Sequence, residues 1–85
     1  MTIYHENKLY SLGGRTYGED EQAILDYCEC YDFDENYWEM IAPMQERRCS
    51  GFCFIYHNFI YVAGGYTGHL TRNPYFEKYD IENNK

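Results

Sequence analysis

The chain has 85 residues and a net charge of −7; 45% of it is hydrophobic and 20% aromatic, with eleven Tyr, five Phe and one Trp. That length allows at most one small core, and so many aromatic residues exclude a globally disordered chain. The acidity argues against a nucleic-acid binder, which needs a basic face, and against docking on anionic lipid.

Taken in chain order, the first residues give two extended runs around a turn at His5-Glu6-Asn7, the second run stopping at Gly13-Gly14. A loop follows from Arg15 to Ile24. The run Ala23–Phe33 then puts Tyr27, Glu29, Tyr31 and Phe33 on one side and Cys28, Cys30 and Asp32 on the other. That is a period of two, which predicts a strand. Asp32–Asn36 reads DFDEN, a turn in which Asp and Asn bond their own backbone. A short strand from Tyr37 is ended by Pro43. From Phe52 the hairpin recurs with His57-Asn58 at its turn and stops at Gly64-Gly65. No window places apolar residues at helical spacing, so no helix is expected. The longest apolar run, Phe52–Tyr56, falls far short of the roughly 20 residues of a membrane-crossing helix. No basic segment followed by an apolar run opens the chain, so no secretory leader is expected. The four cysteines therefore read as reduced thiols of a cytoplasmic protein.

The second hairpin is a copy of the first. Gly13-Gly14 and Gly64-Gly65 stand 51 positions apart, and at that offset Tyr10 meets Tyr61, Leu9 meets Ile60 and Asn7 meets Asn58. Further on, Cys30–Asn36 (CYDFDEN) matches Lys78–Asn84 (KYDIENN) at an offset of 48. A unit of about 50 residues and four short antiparallel strands has the size of a propeller blade.

The residues of that unit resemble the kelch repeat. Gly13 and Gly14 end a buried strand, Tyr31-Asp32 follows after a variable loop, Trp38 stands seven residues later, and Pro43, Met44 and Arg48 lead onward. Gly64, Gly65, Tyr79 and Asp80 repeat the first part. The resemblance implies an all-β, kelch-type β-propeller fragment of about one and three-quarter four-stranded antiparallel blades. The first repeat runs over 1–51 with its opening strand clipped. The second runs over 52–85 with three strands, truncated before its Trp. The chain is thus expected to be a piece of a longer propeller, whose remaining blades are among its partners. Blades packed on both sides explain why Phe52–Tyr56 and Phe59–Ala63 are apolar on both faces. Trp38 is expected as a wedge between blades, Tyr31 and Tyr79 as rings whose hydroxyls reach buried backbone groups, and Arg47 or Arg48 as a donor to carbonyls or acids between blades.

No residue set nominates catalysis. Cys28-x-Cys30 lies within a strand, and its second-copy equivalents are Phe76 and Lys78, so these thiols read as packed rather than as a zinc site, like Cys49 and Cys53. Asp32-x-Asp34-x-Asn36 resembles a calcium loop, but Tyr37 stands where that loop needs Gly and Pro43 where it needs Glu. His5, His57 and His69 are scattered. No cofactor, metal, nucleic acid or membrane is expected. The segments after the two Gly-Gly pairs differ most: Arg15, Tyr17, Glu19, Asp20 and Glu21 in the first, Tyr66, His69 and Arg72 in the second. Variable loops on a constant scaffold are where recognition resides, so these eight are the candidate partner-binding residues. The resemblance implies a non-catalytic protein–protein interaction module. Relatives of this kind serve as substrate adaptors of ubiquitin ligases, through a BTB-type domain this stretch lacks, or as cytoskeletal and ciliary scaffolds. The alternative is part of a propeller enzyme of the oxidase or sialic-acid-hydrolase type.

Overall fold

The computed structural model describes residues 1–17, 22–68 and 71–85. Among them every regular element is a strand: β1 Thr2–His5, β2 Lys8–Tyr17, β3 Gln22–Asp32, β4 Tyr37–Ile41, β5 Phe52–Tyr56, β6 Phe59–Ala63, β7 Tyr66–Gly68, β8 Thr71–Arg72 and β9 Phe76–Asp80. The all-β expectation holds. Strands β1-β2-β3-β4 form one antiparallel sheet in chain order, and β5-β6-β9 form a second. The pair β7-β8 is a small separate ribbon.

The opening hairpins of the two sheets are built alike. Glu6 and Asn7 have φ of 48° and 66°, and His57 and Asn58 have 48° and 65°. Two consecutive left-handed residues are what a two-residue turn needs to match the twist of its strands. Asn tolerates that region better than most residues.

Period-two alternation then sorts side chains by face. Tyr10, Leu12, Cys28 and Cys30 line the inner face of the first sheet and meet Ile60 and Val62 of the second. Ile3, Ile41, Cys53, Ile55, Tyr79 and Ile81 pack around them. Each large aliphatic side chain buried here contributes about 1.5–3 kcal/mol. The Tyr10 and Tyr79 rings meet across the boundary with centroids 6.5 Å apart. Burial, followed by the neighbouring Cys30 thiol, pushes both phenols up to about 12.

One expectation is corrected. Strand β2 does not stop at Gly13-Gly14; it bulges between Leu12 and Gly14 and runs on to Tyr17. Only at Gly64-Gly65 does the strand end, giving way to β7-β8. On the side of β5 turned away from the first sheet, Phe52, Phe54 and Tyr56 are exposed. Trp38 lies on the outward face of the first sheet, half-exposed, with its ring 5.3 Å from that of Tyr31.

Candidate interaction face

At one end of the sheets lie the segments after the two Gly-Gly pairs and the connector from β4 to β5. Gly13, at φ 62°, is where the connector crosses the first sheet: a side chain there would come within 2.5 Å of the Arg48 carbonyl oxygen. The Arg48 amide donates to the Leu25 carbonyl at 3.1 Å, and the Gly14 amide donates to the Arg48 carbonyl at 3.0 Å. The connector then reaches the second sheet. Cys49 and Tyr66 exchange two backbone hydrogen bonds of 3.0 and 2.9 Å. Gly65, at φ 85°, leaves no room for a side chain against the Cys49 carbonyl.

This route gathers three of the eight candidate residues. Arg15 pairs with Ile24 across the β2-β3 hairpin, and its Nη2 donates to the Cys49 sulfur at 3.4 Å. Tyr66 is tied to Cys49 by those backbone bonds and stands opposite Arg72 in the β7-β8 ribbon. Arg15 and Arg72 are exposed, and Tyr66 is half-buried. The Tyr17 backbone pairs with Gln22 at the end of the same hairpin. Glu19, Asp20, Glu21 and His69 lie outside the described residues. An open hollow of about 380 Å³ sits beside this cluster, lined by Ser50, Gly64, Gly65, Tyr66, Arg72 and Asn73.

Sequence reasoning missed Asn73 and Glu77. Asn73 is buried; its amide donates to the Gly65 carbonyl at 2.8 Å, its side-chain nitrogen to the Arg47 carbonyl at 3.4 Å, and its oxygen accepts the Tyr75 amide at 2.8 Å. Glu77 accepts the Gln45 amide at 2.6 Å, the Glu46 amide at 3.1 Å and the Arg48 Nη2 at 2.9 Å. The signal for Glu77 was present, since Glu29 occupies its place in the first repeat. For Asn73 there was none, because it sits in a loop that the repeat does not align.

Of the two arginines offered as the inter-blade donor, Arg48 fills that place. It is fully buried, and its Nη1 donates to the carbonyls of Gly64 at 3.3 Å and Tyr75 at 3.0 Å while Nη2 meets Glu77. The tyrosine hydroxyls do not reach backbone: Tyr31 donates to the Asn36 side-chain oxygen, and Tyr79 to that of Asn84 at 2.7 Å. Asp32 and Asp80 cap turns. Asp32 accepts the amides of Asp34 and Glu35 at 2.9 and 3.1 Å, and Asp80 accepts the Asn83 amide at 3.2 Å. The Asn83 side chain, then that amide, hold the Asp80 carboxyl below its ordinary value. Burial pushes the Cys28, Cys30 and Cys53 thiols up from the usual range, so these cysteines are protonated and packed. Met44 reaches the inter-sheet core from the connector, beside Pro43.

Comparison with known proteins adds to this geometry. The family model described as "Kelch motif" matches residues 2–45. The human Kelch-like protein 23 is 42% identical over 87 residues, which covers 99% of this chain and 14% of that protein. The human Kelch repeat and BTB domain-containing protein 8 is 28% identical over 123 residues, or 98% of this chain and 20% of that one. Kelch-like protein 3 of Bos taurus is 40% identical over 53 residues, 62% of this chain and 9% of its own length. The chain thus spans a small part of the relatives it matches.

Proposed function

From the premise that this chain belongs to the kelch-repeat family, we propose that it is a non-catalytic module that presents its loop end to a partner protein. The observation that carries this reading is the chain of contacts from Arg15 through Cys49 and Tyr66 to Arg72. It fixes the exposed Arg15 guanidinium and the backbones of Tyr66 and Arg72 on one end of a stiff pair of sheets, beside an open hollow. Guanidinium and tyrosine side chains give much binding energy at small conformational cost. The finer roles follow from the kind of protein the relatives are. One of them carries a BTB domain by name, and a substrate adaptor of a ubiquitin ligase, in the cytoplasm, is the role we favour over a cytoskeletal or ciliary scaffold.

The test is site-specific photo-crosslinking in cells, with the crosslinking residue placed at Arg72 or, at the opposite end, at Glu82. The expected result is a discrete partner captured from Arg72 and not from Glu82, and lost when Arg15→Ala is added. Equal capture from both ends, or capture indifferent to Arg15, overturns the reading. So does turnover of an oxidase or sialoside substrate by the purified protein.

A further inference from the structure

We propose that Ser50 is a phosphorylation site for a serine kinase that reads arginine three residues before its target, and that the phosphate is held in the hollow beside Arg72. The sequence carries the first part. The connector reads Glu46-Arg47-Arg48-Cys49-Ser50. The chain has two serines, and Ser50 alone has arginine three residues ahead; Ser11 has Lys8 there, and none of Thr2, Thr16, Thr67 and Thr71 has a basic residue at that distance. A planar guanidinium fork fits carboxylates in a way that an ammonium group does not. In the folded chain Arg47 and Ser50 are both exposed, while Arg48 is buried against Glu77. The readable pattern is therefore Arg-x-x-Ser, with Arg47 as its cation. Ser50 stands at the loop end, on the connector that joins the two sheets, rather than on an outward sheet face.

The backbone supplies a second observation. Ser50 has φ of 56°. A residue with a side chain is strained there, and glycine or asparagine is the usual occupant. Among the described residues, the other side chains at positive φ are Asn7, Asn36, Asn58 and Asn84, with Glu6 and His57 as first residues of the hairpin turns. Backbone preference does not account for serine at this place, and strain of this kind collects at functional sites.

The hollow supplies the third. Ser50 lines it with Gly64, Gly65, Tyr66, Arg72 and Asn73, and its volume of about 380 Å³ exceeds what a phosphoryl group fills. Ser50 follows Cys49, whose backbone is paired with Tyr66, and Tyr66 stands opposite Arg72. Arg15, whose Nη2 reaches the Cys49 sulfur, and Arg47 bring two more cations to this end. The Glu77 carboxylate is taken up by Arg48 and two connector amides, and Glu46 is half-buried. A phosphoserine carries about −1.5 to −2 charges and accepts charge-assisted bonds from arginine. In the transfer, the Ser50 Oγ attacks the γ-phosphorus of ATP. The new O–P bond forms as the bond to the bridging oxygen breaks, ADP leaves, and the hydroxyl proton passes to the catalytic aspartate of the kinase. At the end assigned above to a partner, the phosphate fills the hollow and neutralises its guanidinium. That consequence rests on the proposed function; the site itself does not.

The folded, purified protein is incubated with ATP and a calcium–calmodulin-dependent kinase, which belongs to this class, and the product is mapped by mass spectrometry. Phosphate is expected on Ser50 and not on Ser11, with the rate falling about tenfold or more in Arg47→Ala. Arg47 is exposed, and circular dichroism checks that the variant keeps its fold. An unlabelled Ser50, a rate indifferent to Arg47, or labelling only after unfolding in urea overturns the site. Phosphorus NMR of the labelled protein against pH then locates the phosphate. Its second ionisation is expected below the ordinary value of about 6, and Arg72→Ala is expected to bring it back. A wild-type midpoint at about 6, or one that Arg72→Ala leaves in place, overturns the seat in the hollow. Neither readout needs a partner protein, so either can fail while the proposed function stands, and the reverse.

Discussion

Gly13 and Gly64 hold the same place in the two repeats, as do Gly14 and Gly65, yet their surroundings are exchanged. Arg48 and Met44 crowd Gly13, while a side chain at Gly64 would meet no heavy atom within 4 Å. Gly14 is open, and Gly65 is pressed against Cys49. All four have positive φ, so backbone freedom is the shared requirement and close approach the private one. What differs is the connector, which crosses the first sheet at one glycine and the second sheet at the next. Its carboxylate anchor follows the same rule: Glu77 is filled by the connector, while its counterpart Glu29 lies exposed. A motif residue acquires its role from the segment that passes beside it, so a repeat states where partners are needed without stating where they are present.

The sharpest way to break this comparison is at the anchor. Arg48→Ala leaves the Glu77 carboxylate, only 14% exposed, without its cation, and unpairing a buried ion pair costs about 3–5 kcal/mol. Glu29→Ala at the equivalent place is expected to stay within about 0.5 kcal/mol of wild type. Urea unfolding of the two variants measures both, and similar losses would refute the contrast. Next in size are the glycines. Alanine at any of them meets the left-handed backbone cost of about 1–2 kcal/mol. At Gly13 and Gly65 overpacking adds about 1–3 kcal/mol. The expected order in thermal melts is Gly13→Ala below Gly64→Ala, and Gly65→Ala below Gly14→Ala; the reverse order in either pair removes the connector as cause.

The gentlest probe is alkaline pH. Burial, then the Cys30 thiol, raises Tyr10 and Tyr79 from 10.0 to about 12, and burial raises Cys28 and Cys30 from 9.0. Each folded-state pKa lies above its unfolded value, so the folded chain holds protons that the unfolded chain releases. Stability is therefore full below about pH 9 and is lost as pH rises towards about 12. Melting temperature against pH is expected to fall in that window, and Tyr79→Phe to flatten the fall. A flat wild-type profile would mean that the inner face is not closed to ionised groups.

The fold was legible because its signals are local. Alternation at Tyr27–Phe33, the turn residues at Asn7 and Asn58, and the repeated Gly-Gly each act within a few residues. The covering of the faces was not legible, since apolar residues on both sides of β5 report only that a sheet wants company. Of the candidate partner-binding residues, which divergence between the copies nominates, Arg15, Tyr66 and Arg72 stand at one end of the sheets. Asn73 escaped because its three bonds join segments up to 26 residues apart, and no spacing in the sequence encodes them.

The Arg48 side chain has a consequence for how the molecule comes apart. Its backbone belongs to the first sheet, through Leu25 and Gly14, and its guanidinium belongs to the second, through Gly64, Tyr75 and Glu77. Neither sheet alone can satisfy it, and a buried cation without acceptors is untenable. The residue thus acts as a coincidence requirement that binds the fate of one sheet to the other and makes two neighbouring repeats a single cooperative unit.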